Sequence, residues 1–402
     1  MFEKECGIGN FLVPNAIIFP LIFNKSPSTF KVFEVLPNKQ IITGKDKDSI
    51  LIEEPGLFHH AILSKSSIDT PGAISLLVKK LKIPPNYISY AGLKDAEAET
   101  HQRISLFDFA GNPKDKIEFE RFIVHSLTRA RYEVNLGDLF GNHFQVQLDL
   151  TQEEESDQFT KEIANRIQEL TDYGFPNYFG LQRFGASRPI SHIVGKFILQ
   201  GKYREAVEAY LTTQSSYEDL EVTETRRNLA ETGNFKEFLQ CLPKKYQYEI
   251  NLAQSLQKQP NNYRKAFNTF PNEIKKLFLH SYQSYIFNRM VSTYLQNSNF
   301  LEEKGEKNFP LINADTKPED LEYEQRDLLV SILDEDDISL EYFANKDFKW
   351  FSNKNHLRKI LVKPRNLSFK IAKSHLDLEF TLSKGSYATM LIRELTHIKQ
   401  AY

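Results

Sequence analysis

The chain has 402 residues, of which 41% are hydrophobic and 26% are charged, and this balance excludes a disordered protein. Its two cysteines, Cys6 and Cys241, exclude a disulfide framework and fit no metal spacing, and no apolar run reaches the roughly 18–20 residues of a membrane span. A net charge of −2 excludes a uniformly basic nucleic-acid binder. We therefore expect two domains, or one core with a large insertion, no signal peptide and a cytoplasmic location.

The first part of the chain predicts two short strands. Residues 16–36 alternate between apolar and polar side chains on either side of a turn at residues 25–27. Phe30 falls on one face of the second strand at a period of two. The pattern alone makes Phe30 a core aromatic.

A strand–helix–strand unit follows. Residues 58–66 predict a strand, and Thr70 and Pro71 predict the N-cap and first residue of a helix. A second strand at residues 88–90 then leads to Asp95. This unit brings a carboxylate to the end of a strand.

The segment at residues 90–105, YAGLKDAEAETHQRIS, holds the first candidate for chemistry. Asp95 follows a tight glycine turn and stands beside Lys94. A carboxylate next to a lysine can be held ionised and exposed, which suits a nucleophile or a general base. The alternative is a turn in which Asp95 caps its own backbone. These residues alone leave both interpretations open.

Further strands are predicted at residues 104–110 and 130–150, with turns at Gly137 and at the Gly141-Asn142 pair. An amphipathic helix is predicted at residues 153–171. The middle of the chain thus continues the mixture of sheet and helix.

A second candidate segment is GFPNYFGLQRFG at residues 174–185. Its aromatic and glycine residues predict a rigid, exposed loop. Phe179 can stack on a nucleobase, Asn177 can hydrogen-bond a base edge or position Asp95, and Arg183 can bind a phosphate or Asp95. The alternative is a loop that serves packing alone.

The pattern changes after residue 190. Residues 190–300 predict only helices, the clearest at residues 273–297, and a further helix is predicted at 319–334. The chain then returns to sheet, with a hairpin at residues 367–382 and a helix after Gly385.

The neutral total hides two charged stretches. Residues 351–375 hold seven basic side chains and no acid, whereas residues 311–345 hold eleven acids. Phosphate binding depends on local charge, because salt screens charges more than about 10 Å apart. The basic stretch is therefore a candidate phosphate contact, and the acidic stretch predicts a solvated surface of unknown role.

Several motifs together resemble those of the TruD family of pseudouridine synthases, and they occur in the family's order. They are GLKD with the spaced Ala, Thr, Gln and Ser (residues 92–105), GDLFGN (137–142), PNYFGLQRFG (176–185), HSYQSYIFN (280–288) and GSYATMLIRELTH (385–397). The chain departs from the family pattern at Thr29, where an acid is usual, and at Ser383-Lys384, where leucine and proline are usual.

The resemblance implies an α+β fold with a mixed, mainly antiparallel sheet flanked by helices. It implies a discontinuous catalytic core at residues 1–189 and 365–402, an α-rich inserted TRUD domain at 190–364, and RNA bound in the cleft between them. No cofactor and no metal are implied.

The function implied is that of a tRNA pseudouridine synthase acting on uridine 13 of tRNA, with tRNA as the partner. Asp95 would be the catalytic carboxylate, acting either by attack on the sugar or by assisting loss of the C2′ proton. The substrate-binding residues implied are Phe30, Lys94, Asn177, Phe179 and Arg183.

Two other functions remain open from the sequence. One is an RNA-binding protein or RNA chaperone without catalysis, which a turnover assay distinguishes. The other is a glycosidase, which needs two carboxylates around the scissile bond. The two further acids considered for this role are Glu34 and Glu394, for which we expect structural roles.

Overall fold

The structure is a computed structural model that describes residues 2–13, 17–44, 54–109, 116–151, 157–185, 187–297, 307–344 and 356–398. Its helices are α1 (Phe2–Glu5), α2 (Thr70–Leu81), α3 (Asp157–Tyr173), α4 (Ser191–Leu199), α5 (Tyr203–Thr212), α6 (Leu220–Thr232), α7 (Phe235–Cys241), α8 (Gln247–Lys258), α9 (Tyr263–Phe267), α10 (Asn272–Asn297), α11 (Tyr323–Glu335) and α12 (Ala388–Thr396).

Strands make up most of the remaining regular structure. They are β1 (Leu21–Ile22), β2 (Phe30–Val35), β3 (Phe58–Ser66), β4 (Ile88–Tyr90), β5 (Glu99–Phe107), β6 (Ile117–Glu118), β7 (Phe122–Ala130), β8 (Gly141–Leu150), β9 (Phe175–Pro176), β10 (Asn308–Leu311), β11 (His356–Lys359), β12 (Leu361–Val362), β13 (Arg365–Ile371) and β14 (His375–Ser383).

The chain forms two compact units. The sheet unit comprises residues 17–175 and 362–397, and the helical unit comprises residues 1–16, 176–361 and 398–402. The inserted domain expected at residues 190–364 stays a prediction.

The sheet unit is built on a ten-stranded sheet with the order β13-β14-β8-β2-β5-β3-β7-β6, to which β1 adds beside β8 and β4 beside β5. Within the described ranges the pairings are antiparallel except for β2 and β5, which run parallel with Val32 opposite Thr100. The predicted α+β class, with a mixed and mainly antiparallel sheet, is confirmed.

Helix α2 closes the core on one side of this sheet. Its apolar residues recur at helical spacing and become buried against strands β3, β4, β5 and β7. The fully buried members include Ala61, Leu63, Ala73, Leu77, Ile104, Leu106 and Val124. Burial of each large side chain contributes about 1.5–3 kcal/mol. The core therefore fixes β4 and β5, the two strands on either side of Asp95.

Two local predictions about this unit are wrong. Thr70 is the first residue of α2 rather than its N-cap, because the Asp69 side chain accepts the cap hydrogen bond from Gly72 N at 2.8 Å. The Gly141-Asn142 pair begins β8 rather than forming a turn. The turn lies earlier, at Gly137, whose φ of 90° suits glycine.

The helical unit is organised around α10. This helix packs against α4. The two helices can approach closely because Gly195 has no Cβ: one at this position would lie only 2.1 Å from Phe278 O. The predicted run of helices at residues 190–300 is confirmed as α4 to α10 up to Asn297, and residues 298–300 lie outside the described residues. The predicted helix at 319–334 begins later, at Tyr323, because Pro318 starts a separate 3₁₀ turn.

The structure describes only part of the two charged stretches at residues 311–345 and 351–375. Lys363, Arg365, Lys370 and Lys373 are exposed in or beside β13, whereas Lys354 lies outside the described residues. Among the helices that the structure describes, none has the length and apolar character to cross a membrane.

Gly141 gives a test of the sheet. A Cβ at this position would lie 1.9 Å from Leu382 O on the adjacent strand β14. We expect Gly141→Ala to lower the free energy of unfolding by about 2 kcal/mol or more, since backbone must shift. Gly92→Ala is the control, because nothing lies within 4 Å of its Cβ position. Denaturant titration of both variants checks this, and equal stabilities would contradict the close pairing of Gly141 with β14.

Candidate active site

Asp95 lies in the turn that joins β4 to β5. The two strands are neighbours, with Tyr90 opposite Ile104, so the intervening residues form a tight excursion from the sheet. The Asp95 side chain keeps 42% of its surface exposed. The predicted position of a carboxylate beyond a strand end is therefore what the fold produces.

Lys25 makes a direct contact with this carboxylate. Its Nζ lies 3.0 Å from Asp95 Oδ2 and donates a charge-assisted hydrogen bond, while the Lys25 side chain is only 13% exposed. The same Nζ lies 5.3 Å from the ring centroid of Phe30. Phe30 is buried at the start of β2 and packs against Phe23 and Phe144. Lys25 thus connects Phe30 to Asp95.

Lys94 is turned into the protein. Its Nζ lies 3.5 Å from Glu34 Oε2 and donates to Asn142 Oδ1 at 2.8 Å. Burial lowers the pKa of Lys94 and raises the pKa of Glu34, while their mutual attraction opposes both shifts. With the Lys94 side chain 4% exposed, its contacts position the turn. The substrate-binding role expected for Lys94 stays a prediction.

Side chains from neighbouring elements fix the backbone of this turn. Thr70 Oγ1 accepts from Lys94 N at 3.0 Å and donates to Gln102 Oε1 at 2.8 Å. Gln102 Nε2 in turn donates to Gly92 O at 3.0 Å. Lys65 Nζ donates to Asp95 O at 2.7 Å. The turn is therefore held at several consecutive peptide groups.

Asn177 lies in the helical unit and is held by Arg358 and Lys359. Its Nδ2 donates to Lys359 O at 2.9 Å, and its Oδ1 accepts from Arg358 Nη2 at 2.8 Å. Asn177 is 5% exposed. These contacts make it an organiser of its own loop.

Phe179 is also packed within this unit. Arg358 Cζ lies over the ring, 3.9 Å from its centroid, and Phe287 meets the ring edge-on at 5.6 Å. The Phe179 backbone donates from N to Asn288 Oδ1 at 2.8 Å and accepts at O from Asn288 Nδ2 at 3.0 Å. Phe179 is only 9% exposed. The guanidinium of Arg358 already covers one face of its ring.

Arg183 ends the short 3₁₀ helix Leu181–Arg183 and is half-buried. Its Nε donates to Ser284 Oγ at 3.2 Å, and its Cζ lies 5.8 Å from the Phe179 ring centroid. Ser281 Oγ donates to Arg183 O at 2.7 Å. Helix α10 therefore anchors Arg183 as well as Phe179.

The predicted residues form two groups. Asp95, Lys94 and Phe30 belong to the sheet unit, and Asn177, Phe179 and Arg183 belong to the helical unit. Sequence reasoning did not assign site roles to Lys25, Lys65, Asn142 and Asn288, and it considered Arg358 only as part of the basic stretch at residues 351–375. Asn142 and Asn288 fall in matched motifs, which was a usable signal, whereas no local pattern indicated Lys65.

The Asp95 turn holds the half-exposed Asp95 carboxylate on a backbone that is fixed by several hydrogen bonds. Such an arrangement suits attack on carbon or proton removal at a bound substrate. Within the described part of the chain, no group of three or more His, Cys, Asp or Glu side chains is placed to hold a metal ion.

Comparisons with known proteins identify the family to which the chain is similar. The chain matches the profile of the family described as tRNA pseudouridine synthase D (TruD) over residues 21–308 and 301–395. It is 32% identical to a probable tRNA pseudouridine synthase D of Methanococcus vannielii, covering 92% of this chain and 94% of the relative. A protein of the same description from Methanosarcina acetivorans is 30% identical, covering 98% of this chain and 96% of the relative.

A solved structure supports the fold. The crystal structure of a protein from Methanosarcina mazei assigned to TruD superposes with a TM-score of 0.75 at 27% identity, covering 98% of this chain and 97% of that one. The α+β fold and these relatives define an isomerase of the pseudouridine synthase class. The chain belongs to the TruD family.

Thr70 and Thr100 provide a matched test of how the Asp95 turn is held. Both are fully buried, but Thr70 bonds Lys94 N and Gln102, whereas Thr100 Oγ1 has no hydrogen-bond partner among the described residues. We expect Thr70→Val to lower the free energy of unfolding by about 1–3 kcal/mol, because a buried N–H loses its partner.

Thr100→Val should be neutral or stabilising, since it removes only an unpaired buried hydroxyl. Thermal and denaturant unfolding of the two purified variants gives the comparison. An equal loss of stability in both would show that the Thr70 bonds do not hold the turn.

Proposed function

We propose that this protein isomerises uridine to pseudouridine in tRNA, with uridine 13 as the target and Asp95 as the catalytic carboxylate, in the cytoplasm. The observation that carries the proposal is the contrast at the Asp95 turn. The Asp95 carboxylate is 42% exposed and bonded to Lys25 at 3.0 Å, while Lys65, Thr70 and Gln102 around its backbone are buried.

The reaction exchanges bonds within one nucleotide. The bond from C1′ to N1 of uracil breaks, the base turns, and a bond from C1′ to C5 forms. The proton leaves C5 and N1 regains one, so atoms and electrons balance without a co-reactant. The protein has to bind the base, protect the separated intermediate and supply a correctly placed carboxylate.

Asp95 acts at the target sugar in this proposal, by attack on C1′ or by removal of the C2′ proton. Lys25 directs the carboxylate through its hydrogen bond to Oδ2. Phe30 lies beneath Lys25 and forms an apolar wall. The Lys94 and Glu34 pair keeps the turn in place from below.

The remaining predicted residues act on the RNA. The target base must leave its helix before chemistry, and an aromatic face can stabilise an extruded base. We assign that role to Phe179, with Asn177 and Arg183 arranging the loop or contacting the RNA. The exposed Lys363, Arg365 and Lys370 of the β13 region supply contacts to phosphates.

The glycosidase alternative needs a second available carboxylate. The two acids considered for that role from the sequence, Glu34 and Glu394, are 0% and 2% exposed and do not supply it. An RNA-binding protein without catalysis is distinguished by the next experiment.

Asp95→Asn tests the catalytic assignment. The change keeps the shape and removes the charge, so we expect turnover on tRNA transcripts to fall by about three orders of magnitude or more, with little change in tRNA affinity. Glu97→Gln is the control, because Glu97 is 75% exposed and 3.9 Å from Lys25 Nζ. It should change turnover by less than about fivefold.

Pseudouridine mapping by chemical labelling and filter-binding affinity give the two readouts. An Asp95→Asn protein that isomerises uridine near the wild-type rate would refute the role of Asp95. A wild-type protein that binds tRNA and never forms pseudouridine would instead favour the non-catalytic alternative.

Phe179 is tested by removing its ring. Stacking is worth about 1–3 kcal/mol per base, so Phe179→Ala should lower kcat/KM by about tenfold to a hundredfold, and Phe179→Tyr should retain more activity because it keeps the ring face. The alanine variant should also lose stability, because it lacks the Phe179 ring that contacts Arg358 and Phe287.

Phe184 of the same loop is the matched control. It is fully buried and meets His192 edge-on at 5.3 Å. Phe184→Ala should lower the melting temperature and leave the turnover of the folded protein near the wild-type value. If Phe179→Ala behaves in the same way, Phe179 serves packing and not stacking.

A further inference from the structure

Lys65 is a buried lysine whose place in the fold is unusual. It lies on β3, opposite Thr100 of β5, and is 2% exposed. Removing an ammonium group from water is costly unless it is paired or fully hydrogen-bonded. An apolar side chain would pack at this position without that cost, so the cation needs an explanation.

The hydrogen bonds of Lys65 supply one. Its Nζ donates to Asp95 O at 2.7 Å, to Ile68 O at 2.8 Å and to Lys94 O at 3.2 Å. The three acceptors use the three donors of an ammonium group. Ile68 O lies just past the end of β3, so one bond anchors the group to its own strand and the other two hold the turn.

Two of these acceptors are consecutive carbonyls at the proposed catalytic residue. Holding Lys94 O and Asp95 O together fixes the two peptide groups that flank the Asp95 Cα. These peptide groups set the direction in which the Asp95 side chain leaves the backbone. Thr70 and Gln102 hold the turn at Lys94 N and Gly92 O, whereas Lys65 contacts Asp95 itself.

We propose that Lys65 is a positioning residue of the active site, whose protonated side chain holds the Lys94–Asp95 backbone so that the Asp95 carboxylate points at the substrate. This inference rests on the proposed function of Asp95. It assigns Lys65 no contact with RNA. The neutral amine has only two donors and cannot hold all three carbonyls.

The protonation of Lys65 gives the proposal a measurable signature. Burial lowers the Lys65 pKa from its ordinary value of 10.5 to about 8, although the nearby carboxylates of Asp95 and Asp69 raise it, and Lys94 lowers it further. The single-turnover rate should therefore fall as the pH rises through about 8.

Stability should not follow the same course. Between about pH 8 and 10.5 the unfolded chain binds the Lys65 proton more tightly than the folded chain. Raising the pH through this window therefore increases the stability contributed by Lys65. A loss of activity without unfolding separates positioning from general structural support.

Two variants and one control form the experiment, with single-turnover pseudouridine formation on a tRNA transcript as the readout. Lys65→Met keeps an unbranched side chain one atom shorter and loses the donors. Its rate should fall by about a hundredfold with tRNA affinity kept, the scale of a misplaced reacting group. Lys65→Arg should keep more activity and lose the alkaline decline, because guanidinium stays protonated. The control is Lys80→Met, since Lys80 donates to the remote Glu118 O at 2.9 Å.

The outcomes distinguish this inference from the proposed function. A Lys65→Met rate within about threefold of wild type, or a Lys65→Arg profile with the wild-type alkaline decline, overturns the inference while Asp95→Asn remains inactive. The same RNA serves every protein, so titration of uracil affects all profiles alike. If the wild-type protein forms no pseudouridine, the proposed function is refuted, and the inference about Lys65 is refuted with it because it rests on that function. Should Lys65→Met not fold, the Lys65→Arg profile decides.

Discussion

The Asp95 turn depends on a buried ion pair. Lys94 and Glu34 meet at 3.5 Å, and both are removed from solvent. Breaking such a pair by removing one partner costs about 3–5 kcal/mol, because the other charge stays buried. Glu34 comes from β2 and the third partner, Asn142, from β8, so the pair is complete only when β2, β8 and the turn have assembled. A site built on this pair forms with the sheet.

Several parts of this arrangement were predictable because their signals are local. The strand at residues 88–90, the glycine turn and the position of Asp95 follow from spacing and turn chemistry, and the helix after Asp69 follows from its proline and its apolar period. The helical run after residue 190 followed in the same way, whereas the α+β fold with its mainly antiparallel sheet was implied by the family resemblance. The family resemblance then selected Asp95 among many surface acids.

The rest could not be read from sequence, for physical reasons that differ between residues. Lys25 and Lys65 reach Asp95 across 70 and 30 positions of chain, so no local period indicates them. Threonine is a common N-cap residue, but Asp69 caps α2, which leaves the Thr70 hydroxyl available to accept from Lys94 N. Glycine followed by asparagine is typical of a turn, but Gly141 lies in a strand, where its missing Cβ allows the close approach of β14. In each case tertiary contact decided between two uses of the same residue type.

The second group of residues follows the same principle of backbone support. Asn288 bonds both the N–H and the carbonyl of Phe179, and Arg358 bonds the side chain and the carbonyl of Asn177 while covering the Phe179 ring. A guanidinium above an aromatic ring occupies the face that a base would use. If uracil stacks on the ring face that Arg358 covers, it displaces Arg358, which must then exchange its bonds to Asn177. The contacts of Arg358 therefore couple the position of Asn177 to the availability of the Phe179 ring, and a change at Arg358 acts on both at once.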